Sequence, residues 1–416
     1  MSISKKRILI LFTLEGMLIT LVNNLVGNNN NFFATRLGAS EFQLSLLTTI
    51  PQLVGLCVLI PGGILTDRMK NKRSMVMFSL MAVTVFYALI GFVPMLPVNK
   101  FVLFLTLFAI SVGPMTIYNV SWQAFFSDTV SSEDQNHIYT WRTALTFVIG
   151  IVIPFVSGSI LALATTNSSK LRIHQIYFWI GAVLLLMQVF VLSQLKGNSH
   201  TAAVKASNGN LKEVLSELVH NKKFLSFVGV AIFFYATWHI DWTLYFIGEA
   251  NYLMLDEAWL SYVNIGGTLV QFVTIGFWSR MNRRRGVRYG IIFGNLGLSF
   301  FPIAMIISTS LPIPQGKVVF LILNTLSNLA FATINLNVLQ CLLQVIPENN
   351  KTLTISLYTI LVTLSNAFMP MVGVLIYTGL GGDLRGLQLT FALIFILRLT
   401  STCFWFLRWK KLKNEA

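Results

Sequence analysis

Two acidic side chains lie inside long apolar stretches of this sequence, where a charge is costly and needs a partner or a function. One is Asp241, which has Trp238, Trp242 and Tyr245 as neighbours. A carboxylate beside aromatic rings suits a sugar, an organic cation held partly by cation–π attraction, or a proton. The structural alternative is pairing with His239 or with a residue on another helix. We therefore treat Asp241 as a candidate for solute binding and for proton coupling.

The second acidic side chain is Glu15, near the middle of the first apolar stretch. At about 100° per residue, Glu15 falls on the leucine-rich side of a helix, away from the asparagines of that helix. We expect it to meet another helix, either as a structural pair or as a proton-coupling group. Arg142 begins a later apolar stretch and could reach a cavity or snorkel to the surface. Arg398 lies too deep to snorkel and should have a structural partner.

Uncharged polar residues recur at helical spacing in four of the apolar stretches. In the first stretch, Asn24, Asn28 and Asn31 share one face, whereas Asn29 and Asn30 fall off that face and suggest a fraying helix end. Polar side chains at membrane depth should face water or another helix. The predicted solute-binding residues are Asn24, Asn28, Asn31, Asn119, Gln123, Trp238, Asp241, Tyr245, Asn324 and Asn328. The alternative is that these asparagines bond one helix to the next.

Membrane helices are the elements that must position these residues. Of the 416 residues, 55% are hydrophobic and 11% are charged, against roughly 25% charged residues in soluble domains. Apolar runs long enough to cross a hydrocarbon core of about 30 Å recur along the whole chain. The predicted spans, numbered 1 to 12, are 8–34, 42–66, 74–96, 100–126, 138–164, 173–195, 223–247, 258–279, 288–310, 317–345, 353–378 and 386–408. The predicted fold class is an all-α membrane protein with twelve transmembrane helices.

The longest polar connection divides the spans into two groups of six. We predict an N-terminal bundle at 1–195, a cytoplasmic central loop at 196–222 and a C-terminal bundle at 223–416. Most of the 30 basic residues fall on the side that holds both termini. This bias predicts a multi-pass protein of the cell membrane with both termini in the cytoplasm. The net charge of +15 is therefore attributed to topology, and no nucleic-acid partner is expected.

A basic loop motif occurs once in each half of the chain. The segment DRMKNKR, Asp67–Arg73, follows span 2, and the segment SRMNRRR, Ser279–Arg285, follows span 8. Pro154 in span 5 and Pro370 in span 11 also occupy matching positions. Together these agreements indicate two homologous halves, an arrangement that is typical of secondary transporters.

The first copy of this motif, preceded by Gly62 and Gly63, resembles the loop signature between helices two and three of the major facilitator superfamily. With the twelve spans and the repeated motif, the resemblance covers nearly the whole chain. It implies two pseudo-symmetric six-helix halves that rock around a cavity lined by spans 1, 4, 7 and 10. It also implies a cytoplasmic gate, with the candidate residues Gly63, Asp67, Arg68, Lys72, Arg73 and Asp128.

These features favour secondary active transport of a small organic solute by alternating access, with the proton as a candidate coupling ion. The alternatives are a drug or peptide efflux pump with the same fold, and a membrane sensor or scaffold that transports nothing. The sequence has no P-loop, no HExxH and no cluster of cysteines and histidines, so we expect no enzyme activity, cofactor or metal. The expected partners are the lipid bilayer, a small solute and protons, and the expected state is a monomer.

Overall fold

The fold is helical throughout the part of the chain that the computed structural model describes, residues 3–69, 71–195, 216, 220–345 and 351–414. Within these ranges there is no β-strand. Eleven helices there are long and apolar enough to cross a membrane, and a twelfth is bent by 43° between Glu257–Thr274 and Gly276–Arg285. The predicted fold class, an all-α protein with twelve membrane spans, is confirmed.

The helices form two compact units, Met1–Ala203 and Val204–Ala416, called unit 1 and unit 2 below. The helices of unit 1 are Ile3–Val26 and Asn30–Arg36 (span 1), Glu41–Arg68 (span 2), Lys72–Phe92 (span 3), Lys100–Thr129 (span 4), Ser132–Leu163 (span 5) and Asn167–Ser193 (span 6). The helices of unit 2 are Lys222–His239 and Trp242–Ile247 (span 7), Glu257–Arg285 (span 8), Val287–Ser299 and Phe301–Thr309 (span 9), Ile313–Leu343 (span 10), Lys351–Gly379 (span 11) and Leu384–Asn414 (span 12). The predicted central loop at 196–222 lies mostly outside the described residues, so the predicted boundaries at 195 and 223 stay predictions.

Side-chain caps fix where several spans begin. Ser40 and Gln43 form a reciprocal capping box at the start of span 2, with bonds of 3.3 Å and 2.9 Å. Asn99 and Asp256 accept bonds of 3.1 Å and 3.0 Å from the backbone at the starts of spans 4 and 8. These bonds satisfy N–H groups that have no partner within their own helix. Side chains in the short polar connections therefore fix where these helices begin.

Span 1 is not the single continuous helix that the sequence predicted. It passes through a 3₁₀ segment at Gly27–Asn29 and continues as a helix from Asn30. Both Asn29 and Asn30 are buried in unit 1, and Asn29 donates a bond of 2.9 Å to the carbonyl of Leu25. The prediction of a fraying helix end was wrong, because these two amides pack into the interior instead of reaching solvent.

Spans 7 and 9 are also broken, although the sequence analysis predicted both as continuous. Span 7 is interrupted between His239 and Trp242, and span 9 between Ser299 and Phe301. Pro302, in the first turn of the second helix of span 9, has no N–H to donate to the carbonyl of Leu298 in the preceding turn. Both breaks leave backbone carbonyls in the interior of unit 2 that need other donors.

Candidate functional site

Glu15 is the centre of a buried polar cluster in unit 1. Its side chain is fully buried and accepts a short hydrogen bond from the hydroxyl of Tyr118 in span 4. Gln188 of span 6 donates to Glu15 Oε1 at 2.8 Å and to the Tyr118 hydroxyl at 3.0 Å. Arg142 Nε of span 5 lies 3.2 Å from Glu15 Oε2. The expected contact of Glu15 with other helices is thus present, and it joins four spans.

Arg142 is the member of this cluster that is partly exposed at the surface of unit 1. Its side chain is 16% exposed, whereas that of Glu15 is 0% exposed. The guanidinium carbon lies 4.3 Å from the centroid of the Trp122 ring, a stacking geometry that favours a cation. Gly16 makes room for it, because a Cβ there would lie 2.5 Å from Arg142 Cγ. Arg142 therefore connects the buried carboxylate to the surface of unit 1.

Asp241 and Arg398 form a second buried ion pair, in unit 2. Arg398 Nη2 lies 2.8 Å from Asp241 Oδ1 and 2.7 Å from Oδ2. The exposed fractions of the two side chains are 3% for Arg398 and 1% for Asp241. The structural partner expected for Arg398 is therefore Asp241, and the helix that supplies the partner of Asp241 is span 12.

Arg398 also satisfies the carbonyls that the two helix breaks leave free. It donates to the carbonyls of Thr237 and Trp238, at 3.1 Å and 3.2 Å, at the end of the first helix of span 7. A further bond of 3.0 Å goes to the carbonyl of Leu298, which loses its regular helical donor because Pro302 has no N–H. The C-terminal end of a helix carries partial negative charge. One guanidinium thus binds two interrupted helices and a carboxylate.

Span 11 packs closely against the break in span 7, so no side chain larger than that of glycine fits at Gly373. A Cβ at Gly373 of span 11 would lie 1.9 Å from the carbonyl oxygen of Ile240. His239 Nδ1 lies 3.1 Å from the hydroxyl oxygen of Ser365, also in span 11. The break is therefore held by span 11 on one side and by Arg398 on the other.

The predicted solute-binding residues of unit 1 differ in exposure. Asn28, Asn119 and Gln123 are exposed, and Asn24 and Asn31 are half-buried. Asn24 donates to the carbonyl of Thr20 at 2.9 Å, and Asn28 donates to the Asn24 side chain at 3.2 Å. The polar faces predicted for spans 1 and 4 therefore lie on the surface of this unit. Their role in solute binding stays a prediction.

The predicted solute-binding residues of unit 2 lie deeper. Asn324 is buried, and Asn328 accepts a bond of 2.8 Å from Gln271 of span 8, which is the interhelical role weighed for the asparagines. Trp238 is half-buried. Tyr245 packs against the ring of Phe391 at a centroid distance of 5.1 Å. Asp241 and Tyr245 therefore face the interior of unit 2.

Two predicted gate residues form an ion pair within unit 1. Lys72 Nζ lies 2.9 Å from Asp128 Oδ2, which joins the ends of spans 3 and 4. Arg73 Nη1 donates to the carbonyl of Leu195 at 2.5 Å, just after the end of span 6. The side chains of Asp67 and Arg68 lie outside the described residues, so the gate as a whole stays a prediction.

The two glycines of the loop motif, Gly62 and the gate candidate Gly63, differ in packing. A Cβ at Gly63 would have no other atom within 4 Å, whereas a Cβ at Gly62 would lie 2.8 Å from Ile117 Cγ1.

An ion pair joins the first turns of spans 1 and 5. Lys5 Nζ lies 2.7 Å from Asp134 Oδ2. Hydrogen bonds from Lys5 and then Ser131 lower the pKa of the Asp134 carboxyl below its ordinary value.

Sequence reasoning missed Tyr118 and Gln188 as partners of Glu15. Gln188 lies in span 6, which is otherwise almost free of polar residues at this depth. A single amide in such a span was the available signal, because it needs a polar partner in hydrocarbon. Tyr118 gave no comparable signal, since tyrosines are common on membrane helices.

Comparison with known proteins agrees with this architecture. The sequence profile of the Major Facilitator Superfamily matches residues 9–252, more than half of the chain. The comparison with curated proteins gave no match. Among solved structures, a bacterial homologue of the human lysosomal transporter Spinster has a TM-score of 0.73 at 11% identity, covering 98% of this chain and 97% of its own.

Two further structures share the fold. A D-xylose–proton symporter has a TM-score of 0.70 at 14% identity, with 96% of each chain covered. A nucleoside transporter has a TM-score of 0.67 at 14% identity, with 98% of this chain and 100% of its own covered. At these identities the likeness establishes the fold, and the profile match establishes the family. The chain belongs to the major facilitator superfamily.

Proposed function

We propose that the protein is a secondary active transporter that moves a small polar organic solute by alternating access and couples this movement to protons at Glu15. Membership of the superfamily and the twelve-span transporter fold support transmembrane transport. The observation that carries the proton site is the buried Glu15 cluster. It combines a carboxylate with a single, partly exposed arginine.

Protonation of Glu15 would change what holds Arg142 in place. An ionised Glu15 attracts the guanidinium at 3.2 Å, and a protonated carboxyl loses most of this attraction. Tyr118 and Gln188 can still bond a neutral carboxyl, so the cluster keeps its other contacts. Proton binding would therefore release mainly Arg142, which is the kind of local change that can bias a two-state element.

The exposed amides of unit 1 support a polar solute. Asn28, Asn119 and Gln123 are exposed within helices of high mean hydropathy. Amide groups are unfavourable against lipid, so they favour a hydrated surface. They are uncharged, can donate and accept, and therefore suit a hydroxyl- or amide-bearing solute. A strongly apolar drug would leave their hydrogen bonds unsatisfied.

Asp241 is proposed to have a positioning role, although the sequence made it a candidate for solute and proton binding. Its carboxylate already binds Arg398 through both oxygens, and that arginine is held by three further backbone carbonyls. We assign Asp241 to the maintenance of the broken span 7, with Trp238 at the rim of the break. The cell membrane as location, cytoplasmic termini and a monomeric state complete the proposal.

Identification of the solute is the first step of the test. Purified protein is screened by thermal shift against small polar molecules, because a ligand that binds only the folded state raises its stability. Ligands found in this way are then used for uptake into proteoliposomes with and without an imposed pH gradient. We expect accumulation that requires the gradient and is abolished by a protonophore.

The coupling residue is tested with Glu15→Gln, and Asp134→Asn is the control carboxylate on the surface. We expect Glu15→Gln to keep solute exchange between equal concentrations but to lose gradient-driven accumulation. Asp134→Asn should behave like the wild type in both assays. Wild-type accumulation by Glu15→Gln would refute the assignment of the proton site.

A transporter can also be distinguished from a sensor or scaffold with one label. Asn119→Cys is placed in a background in which the exposed Cys57 and Cys403 are replaced by serine. We expect a membrane-impermeant thiol reagent to modify position 119 from one side, and bound solute to protect it. A position 119 that never reacts would contradict a hydrated pathway along this face.

A further inference from the structure

The side-chain carbonyl of Gln188 is an unused hydrogen-bond acceptor in the Glu15 cluster. Gln188 is 0% exposed, and its Nε2 donates to Glu15 Oε1 at 2.8 Å and to the Tyr118 hydroxyl at 3.0 Å. Its Oε1 is buried and has no hydrogen-bond partner within the described part of the chain. Buried acceptors normally have a donor, so an unpaired carbonyl beside a carboxylate needs an explanation. The amide thus uses its donors and leaves its acceptor unused.

Every side chain that bonds Glu15 in the described chain is a donor in this arrangement. Tyr118 and Gln188 donate to Oε1, and Arg142 Nε donates to Oε2 at 3.2 Å. An ionised carboxylate only accepts hydrogen bonds, so these donors match the charged form. A protonated carboxyl also has an O–H group that must donate. Because the Glu15 side chain is 0% exposed, the acceptor for this O–H has to come from the side chains around it.

Gln188 is the neighbour that can supply this acceptor. Arginine has no acceptor atom, and the hydroxyl oxygen of Tyr118 already accepts from Gln188. A half-turn of the Gln188 amide about its last side-chain bond exchanges Nε2 and Oε1, which have nearly the same size. The carbonyl oxygen then takes the place of Nε2, at hydrogen-bonding distance from Glu15 Oε1. The exchange requires no movement of the backbone of span 6.

We propose that Gln188 accepts the hydrogen bond of the protonated Glu15 carboxyl, and that its amide turns over whenever Glu15 gains or loses a proton. In the ionised form, Nε2 donates to Glu15 Oε1. In the protonated form, the proton stays covalently bound to Glu15 Oε1, and this O–H donates to Gln188 Oε1. The role rests on the proposed proton site at Glu15, and it makes Gln188 the residue that positions the proton.

The turn of the amide changes contacts between spans. It breaks the bond of 3.0 Å between Gln188 in span 6 and Tyr118 in span 4. At the same time, the neutral carboxyl loses most of its attraction for Arg142 in span 5. Among the described residues, Arg142 is the charged group that bonds Glu15, and Tyr118 is the other titratable group there. One proton on Glu15 therefore alters the contacts of spans 4, 5 and 6.

Infrared difference spectra between high and low pH test this role without a transport assay. The full-length protein is reconstituted in lipid, with its glutamines isotopically labelled at the side-chain carbonyl. We expect acidification to produce the carbonyl band of a protonated carboxyl, which Glu15→Gln should lack. A shift of the labelled amide band should accompany it, with the same pH midpoint.

Gln188→Met removes the amide, and Gln175→Met is the matched control. Gln175 is the other buried glutamine of span 6, and its Nε2 donates to the carbonyl of Gly91 at 2.9 Å. We expect the amide shift to disappear in Gln188→Met and to persist in Gln175→Met and in Tyr118→Phe. The pH midpoint of the carboxyl band should move little in Gln188→Met, because Gln188 bonds both forms of Glu15. Removal of a glutamine that only donated to the ionised form would raise this midpoint by about one pH unit or more.

A carboxyl band that appears in the wild type without an amide shift would overturn the proposal and leave Glu15 as the proton site. This measurement needs no variant of Gln188, so it decides the question even where Gln188→Met does not fold. The proposal is also overturned by an amide shift that persists in Gln188→Met or is lost in Tyr118→Phe, and by a midpoint that rises by about one pH unit or more in Gln188→Met. Absence of any Glu15 band would overturn both this role and the proposed proton site.

Discussion

Replacement of Arg398 is expected to destabilise unit 2 more than replacement of its acidic partner. Arg398→Met removes the counter-ion of Asp241, whose carboxylate has no other charged partner among the described residues, and it removes the donor to Thr237, Trp238 and Leu298. Truncating one member of a buried ion pair costs about 3–5 kcal/mol. Each carbonyl left without a donor adds up to about 1–3 kcal/mol. We therefore expect a loss of at least about 3–5 kcal/mol.

Asp241→Asn changes far less. The amide oxygen of asparagine can still accept from Arg398, and the guanidinium keeps its bonds of 3.0–3.2 Å to three backbone carbonyls. We expect a loss of about 1.5–3 kcal/mol, the range for a hydrogen bond to a charged group. The difference between the two single variants combines the stranded Asp241 carboxylate with the carbonyls that lose their donor.

A double variant separates the ion pair from the carbonyl contacts. Asp241→Leu combined with Arg398→Met strands no buried charge, so it should be more stable than Arg398→Met alone. It should remain less stable than the wild type, because the free carbonyls persist. The assay is thermal unfolding of purified protein in one detergent, where about 1 kcal/mol shifts the melting temperature by roughly 2–4 °C.

Two outcomes would refute this reasoning. Equal losses for Arg398→Met and Asp241→Asn would mean that neither the stranded carboxylate nor the carbonyl contacts add to the cost of losing Arg398. The cycle is closed with Asp241→Leu alone, and a double variant whose loss equals the sum of the Asp241→Leu and Arg398→Met losses would mean that Asp241 and Arg398 do not interact. Either result would remove the physical basis for a broken span 7 held by one arginine.

Two further predictions concern glycines at close contacts. Gly16→Ala should displace Arg142 from Glu15 and slow gradient-driven uptake severalfold, because the added Cβ would lie 2.5 Å from Arg142 Cγ; Gly150→Ala, which adds a Cβ in open space on span 5, should leave uptake unchanged. Gly373→Ala should lower stability by about 1–3 kcal/mol through overpacking, because its Cβ would lie 1.9 Å from the Ile240 carbonyl. Thermal unfolding checks the second prediction, and comparable melting temperatures for Gly373→Ala and wild type would contradict it.

The lengths of the apolar runs predicted the spans well, but they could not predict where the helices within a span are broken. In span 1 the polar residues keep nearly the same face before and after the 3₁₀ segment at Gly27–Asn29. Three residues at about 120° instead of 100° rotate the following helix by only about 60°. That small rotation is enough to leave Asn31 half-buried while Asn28 stays exposed. So small a rotation hardly changes the spacing of the polar residues, and the sequence therefore predicts a continuous helix where the span is broken.

Pairing of the buried charges could be predicted only in part. The sequence required partners for Glu15 and Arg398, because neither can reach water from its depth. It could not identify them, since Arg142 and Asp241 were each compatible with several neighbours. The choice depends on which helices are adjacent and where a break frees backbone carbonyls, and these are properties of tertiary packing.

The two carboxylate–arginine pairs differ in how firmly the arginine is held, and this difference supports the roles proposed for them. Arg398 is bound by a carboxylate and three carbonyls and is 3% exposed. Its release would leave all of those acceptors unsatisfied. Arg142 makes one bond of 3.2 Å to Glu15 and is 16% exposed. Its release costs less, because water can solvate the guanidinium and Tyr118 and Gln188 still bond the carboxyl. We therefore propose that proton binding at Glu15 moves Arg142, whereas the pair in unit 2 stays closed.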